Sequence, residues 1–212
     1  MKLVLPVRLG LTVLLSLLLA AYCCVSGCKN PFRTRSSPPP ELREGTWETP
    51  ALPETVIENL LNAYRERVID NFAECLSDSF RFSAPEDSID AANYGLPWLF
   101  EGWDRDVEIR VTDNIFKTVR QNPDSSDYDL YLHLTSPNRD EENDTLAVLY
   151  RDYELYVYNL KAFPPETTLA KGTAAFHMRQ SSLNWWSIYF WSDIPAAAGE
   201  DDWADFKAAF RQ

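Results

Sequence analysis

The chain has 212 residues, 45% of them hydrophobic and 25% charged, a composition that excludes an intrinsically disordered protein. Twenty basic residues against 32 acidic give a net charge of −12, which excludes a binder of phosphate backbones. Two His and four Cys, widely scattered, are too few for a structural zinc site.

The first 27 residues read as a leader. Lys2 and Arg8 make a basic start, and an apolar run follows from Leu9 to Ala21. That run is short for a transmembrane helix, which needs about 20 apolar residues, and has the length of a signal-peptide core. Val25-Ser26-Gly27-Cys28 comes next. It resembles the lipobox of bacterial lipoproteins: a branched apolar residue, two small residues, then the Cys that is lipidated. The resemblance implies cleavage before Cys28, diacylglycerol on its thiol and a further acyl chain such as palmitate on the freed amine. Two or three chains anchor stably where one is marginal. It also implies a lipid bilayer as partner and a location on the periplasmic side of a bacterial membrane. In a cell with two membranes, Lys29 rather than Asp after the anchor favours the outer one. Loss of the leader leaves 18 basic residues against 32 acidic, or −14. The lipid, not the charge, must then hold the protein on an anionic surface.

Residues 28–50 hold Pro31, Ser36, Ser37, Pro38, Pro39, Pro40, Gly45 and Pro50 with few aliphatic side chains. They read as a tether from the lipidated Cys to the folded part. A domain is expected over 51–193. Pro53-Glu54 suits a helix start, and Val56, Ile57, Leu60, Leu61 and Tyr64 recur at helical spacing. A second stripe runs through Ile69, Phe72, Cys75 and Leu76. Phe80-Arg81-Phe82 alternates as a short strand, and 83–102, with Pro85, Gly95, Pro97 and Gly102, reads as a long loop. A third helix is expected over 104–121, ended by Asn122-Pro123.

The period then changes to two. Four strands are expected around 130–134, 146–160, 168–178 and 183–192, separated by turn-like clusters at 136–144, Pro164-Pro165 and 180–182. Residues 194–212 read as a connector followed by an amphipathic helix, with Trp203, Phe206, Lys207 and Phe210 at helical spacing and a docked position favoured. Helices first and strands later argue an α+β fold.

The stretches 53–64, 76–82, Glu108 with Asn114-Ile115-Phe116, and Trp186, Ile188, Trp191 and Asp193, taken in that order, resemble the nuclear transport factor two-like superfamily. That superfamily includes ketosteroid isomerase and the SnoaL-like cyclases. The resemblance spans about residues 52–193 and is strongest to uncharacterised lipoproteins of the group. It implies a cone: a strongly curved antiparallel sheet packed with three N-terminal helices, here with a short C-terminal helix added. It also implies an interior pocket and, in many members, a homodimer through the outer sheet face.

Isomerase chemistry needs a carboxylate base and oxyanion donors facing one apolar cavity. Tyr131, His133, Asp152, Glu154 and His177 are polar residues on strands, but they form no recognisable catalytic set. His133 and His177 alternate against the aliphatic positions, so each is expected off the core face. Cys75 sits on an apolar stripe and reads as a buried small hydrophobe. The acidic runs 124–129 and 140–144 lack the glycine and distal glutamate of an EF-hand loop and read as solvated turns. Tyr64, Phe82, Trp103, Trp186 and Trp191 are the candidates for a pocket or an interface. The expectation is a lipid-anchored, non-catalytic envelope module that binds a small apolar ligand or another envelope protein, with no cofactor, metal or nucleic acid. The alternative is an isomerase- or dehydratase-type enzyme with an unfamiliar site.

Substituting Cys28→Ser should leave the leader uncleaved and abolish incorporation of labelled palmitate. Metabolic labelling of the expressed protein reads both.

Overall fold

The computed structural model describes residues 44–120, 128–159 and 166–211. The leader, Cys28, the tether up to residue 43, Asn122-Pro123, most of the 124–129 acidic run and Pro164-Pro165 lie outside the described residues. The elements, in chain order, are α1 (Pro53–Glu66), α2 (Ile69–Cys75), β1 (Leu76–Ser83), α3 (Pro85–Asn93), α4 (Arg105–Arg120), β2 (Tyr128–Thr135), β3 (Glu141–Glu142), β4 (Leu146–Asn159), β5 (Glu166–Gln180), β6 (Trp186–Pro195) and α5 (Trp203–Ala208). No helix among the described residues is long and apolar enough to cross a membrane.

The fold is α+β, with a curved, unclosed sheet in the order β1-β6-β5-β4-β2 and β3 added to β4. β4 and β5 form the long central hairpin, paired from Leu146↔Arg179 to Asn159↔Glu166. Their inward residues alternate: Ala147, Leu149, Tyr153 and Leu155 on β4, and Ala170, Ala174, Phe176 and Met178 on β5. One pair departs from the antiparallel expectation, since β1 runs parallel to β6. The chain must travel back before meeting β6, and helices and the hairpin fill that path.

Two further differences concern the N-terminal half. The strand expected at 80–82 begins at Leu76, directly after α2. The segment read as a loop contains α3 and a 3₁₀ turn at Pro97–Leu99, so among the described residues four α-helices rather than three precede β2. α3 has the local signals of a helix: Pro85 at its first turn, Glu86 and Asp87 beside it, and Gly95 at φ +76° just after its end. Ala91 is its one buried residue, so no apolar stripe marks it in the sequence.

α1 lies against the sheet with Val56, Ile57, Leu60, Ala63 and Tyr64 buried. Residues 44–50, read from the sequence as the end of the tether, are part of this compact unit. Asn59 and Asn71 are buried, and both reach this segment. Asn59 exchanges two hydrogen bonds with the Glu48 backbone, at 2.9 and 2.6 Å, and Asn71 donates to the Glu44 carbonyl at 3.0 Å. These bonds satisfy polar groups that would otherwise be costly to bury. Arg151 is buried likewise, clamped between Asp140 at 2.9 Å and Glu54.

β6 carries a bulge. His177 pairs with Phe190 but Met178 pairs with Ile188, so Tyr189 is the extra residue. The inward set changes parity there, from Trp186 and Ile188 to Trp191 and Asp193. A regular strand would have turned one of those pairs to solvent.

Gly172 on β5 sits where the sheet, β6 and Tyr153 converge. A Cβ there would fall 2.8 Å from the Tyr153 ring carbon bearing the hydroxyl and closer still to the Ile194 carbonyl. Gly172→Ala should therefore lower stability by about 1–3 kcal/mol, read as a shifted urea midpoint.

Candidate functional site

The interior of the sheet is where an enclosed ligand would lie, and it is filled by the protein's own tail. α5 is short, but a capping box fixes its start: the Asp202 carboxylate accepts from Asp205 N–H at 2.9 Å, and the Asp205 carboxylate accepts from Asp202 N–H. From there Trp203 and Lys207, one turn apart and on the same face, project into the core. The Trp203 ring lies 4.5 Å from Trp191, 5.4 Å from Tyr64 and 5.1 Å from Tyr153, centroid to centroid. Its indole N–H donates to the Tyr64 hydroxyl at 3.2 Å and its backbone N–H to the Tyr153 hydroxyl at 2.8 Å.

Lys207 is 0% exposed. Its Nζ lies 2.7 Å from Oε1 of Glu108, also 0% exposed. The ammonium also sits 3.4 Å from the Trp191 ring centroid and 4.1 Å from that of Phe82. Aromatic faces thus stand where water would otherwise solvate the charge. The other Glu108 oxygen accepts from the Trp103 indole at 2.7 Å. Burial holds the Lys207 pKa below its ordinary value, opposed by Glu108.

Asp193 is the second interior acid. It accepts the Ala204 N–H at 2.8 Å. Burial, then the neighbouring Asp202 charge, push its pKa up to about 8. Burial also raises the hydroxyls of Tyr64 and Tyr153.

Of the residues singled out from the sequence, Tyr64, Phe82, Trp103 and Trp191 are gathered in this cluster. Phe82 bridges Trp103 at 5.0 Å and Trp191 at 5.7 Å. They line a packed interior. Trp186 lies apart, its N–H donating to Pro50 O at 2.8 Å. Cys28 is outside the described residues. Cys75 is buried, its thiol 3.4 Å from the Asn71 carbonyl.

The polar strand residues gather on the other face of the sheet. His133, Asp152 and Glu154 border a groove of about 540 Å³ with Lys171. Glu154 pairs with Lys171 at 3.0 Å and accepts from Tyr156 at 2.8 Å, and Asp152 accepts from Thr173 at 2.7 Å. The Glu154 and Lys171 side chains are open to water. His177 is away from them, its ring 5.1 Å from Phe190. Tyr131, 57% exposed, and Tyr156 flank the groove, 6.4 Å apart.

Sequence reasoning missed the pairing of Glu108 with Lys207. A signal was present. Glu108 stands three and seven residues before Val111 and Ile115, on the apolar stripe of α4, where a lone acid requires a partner.

No protein-family model matches the chain, and no curated protein matches it. Solved structures are similar to it at low identity. A ketosteroid isomerase-like protein from Erwinia carotovora atroseptica is 14% identical, covers 70% of this chain and 96% of its own, and has a TM-score of 0.43. A nuclear transport factor 2 superfamily protein from Salmonella enterica is 15% identical, with 68% and 89% covered and a TM-score of 0.45. The beta subunit of benzoate 1,2-dioxygenase from Burkholderia mallei is 12% identical, with 67% and 87% covered and a TM-score of 0.49.

Removing one partner of a buried ion pair leaves the other unpaired. Lys207→Met should destabilise the protein by about 3–5 kcal/mol, and adding Glu108→Gln should restore most of that. Urea unfolding of the two single variants and the double variant measures the coupling.

Proposed function

We propose that this chain is a lipid-anchored, non-catalytic binding module of the bacterial envelope, built on a nuclear transport factor two-like domain. The observation that carries the reading is the occupied interior. Trp203 and Lys207 stand where an enclosed substrate would lie, and the interior acids are already engaged by the protein itself. A general base must reach the proton it abstracts, and Glu108, held by Trp103 and Lys207, has no such access. Anchoring rests on the Val25-Ser26-Gly27-Cys28 pattern. Binding then belongs to the outside of the sheet, where exposed Tyr131 and the His133–Lys171 groove combine aromatic surface with hydrogen-bonding groups, a mixture that suits a protein partner.

The enzymatic alternative has one observation in its favour. Asp193 is a buried acid raised toward neutrality, as an isomerase base or acid would be. It would act only with α5 withdrawn.

Native mass spectrometry of the full-length protein, released in detergent from its own host, separates the two readings. The expected result is the mass of the acylated chain, alone or with a bound protein. A reproducible added mass of a few hundred daltons, beyond the acyl groups located by peptide mapping, would overturn the filled-interior reading and favour the enzyme.

A further inference from the structure

The turn between β5 and β6 stands out from an acidic chain. From Gln180 to Ser192 there is no charged residue. Leu183 is 68% exposed and Trp185 51% exposed, both within the turn. The turn also satisfies its own backbone. The N–H groups of Leu183 and Trp185 donate to Ser181 Oγ, each at 3.3 Å. Asn184 N–H donates to the Ser181 carbonyl at 3.0 Å, and Ser181 N–H to the Trp185 carbonyl at 2.8 Å. Two large apolar side chains thus ride on a loop whose N–H groups are bonded internally, a form in which backbone leaves water at low cost.

Other elements bring apolar groups to the same end of the domain. Gln180 N–H donates to the Thr145 carbonyl at 2.9 Å, which sets Leu146, itself exposed, beside the turn. Trp186 N–H donates to the Pro50 carbonyl, so the segment that leads into the domain runs past the turn as well. Trp47, Pro50, Trp185 and Trp186 border one groove, where Arg105 and Arg179 balance Glu74 and Asp78. Exposed apolar side chains elsewhere keep acidic company: Tyr94 and Leu96 line a cavity with Glu86, Asp87 and Asp90.

We propose that this turn, through Leu183 and Trp185, docks on the surface of the lipid bilayer that holds the chain. The inference rests on the anchored reading of Cys28. Residues 29–43 separate Cys28 from the folded unit, a reach of at most about 50 Å. The segment they join, 44–50, ends beside the turn, so the end of the domain tied to the anchor also carries the apolar side chains. Held that close, a weak contact suffices, because the effective concentration of bilayer is high. Trp suits the headgroup region, with an apolar ring and one N–H donor. An uncharged loop escapes the repulsion that an acidic one meets at anionic headgroups. Docking fixes which end of the domain meets the bilayer.

The test moves the full-length chain from detergent into phosphatidylcholine vesicles, with or without bromine on the acyl chains. A nitrobenzoxadiazole fluorophore is attached at the turn through Leu183→Cys, or near the far end of the β4–β5 hairpin through Thr167→Cys. Both positions are exposed, so each variant should keep the circular dichroism of the parent. The parent chain, treated alike, supplies the background from its own thiols. Insertion by about 5–10 Å should brighten the turn probe about twofold and let bromine quench about half of its signal. The probe at position 167 should show neither change. No brightening at the turn would overturn the proposal. Brightening without bromine quenching would overturn it in favour of a protein contact, such as a second copy of the chain. Equal quenching at both positions would overturn it in favour of unspecific adsorption. The intact mass of the same sample reports whether Cys28 is acylated, so loss of the anchor and loss of the docking are read separately, and the quenching decides the docking in either case.

Discussion

A buried ammonium ion must find in the protein what it has lost in water. Lys207 finds a carboxylate on α4 and aromatic faces from β1 and β6. That requirement fixes much else. Glu108 is held inside with it, and Trp103 supplies its second oxygen with a donor. Phe82 and Trp191 must present ring faces, which sets how β1 and β6 pack. The tail cannot drift from the body without exposing Trp203 and leaving Glu108 buried and unpaired, so α5 is as much a core element as α1.

The bulge at Tyr189 serves the same requirement from the sheet side. It lets one strand deliver Trp186 and Ile188 to one part of the core and Trp191 and Asp193 to another. Trp191 then meets the ammonium, and Asp193 accepts the Ala204 N–H in the first turn of α5. Beyond α5 another cation, Arg211, donates to the carbonyls of Leu99 and Glu101, each at 2.6 Å, with its guanidinium over Trp103. Interior and rim are thus closed by basic residues of one short segment in an otherwise acidic protein.

The α+β class and nearly every strand were legible in the sequence, because half-buried strands alternate and Val, Leu, Tyr and Phe mark them. α1 and α4 were legible from their wide apolar stripes. α3 was not, since it buries only Ala91 and its start signals lie among loop-forming residues. The parallel pairing of β1 was illegible for another reason: Phe80-Arg81-Phe82 has the same period whichever way its neighbour runs. At the site, four of the five aromatic candidates proved to share one cluster. What filled the space between them was hidden, because Lys207 at the end of a helix also has an ordinary explanation in the helix dipole. Only three-dimensional proximity joins it to Glu108, and only the position of Glu108 on an apolar stripe hinted at a missing cation.

Trp203 follows the six strands of the described residues, and its indole is hydrogen-bonded to Tyr64, 139 residues earlier. The first helix therefore waits for the last one. Until that final segment is present, Tyr64, Trp191 and Phe82 border an unfilled hollow and Glu108 has no cation, so a chain arrested short of it is a sheet with an open, sticky mouth. Docking of Trp203 and Lys207 is thus the event that conceals this aromatic surface.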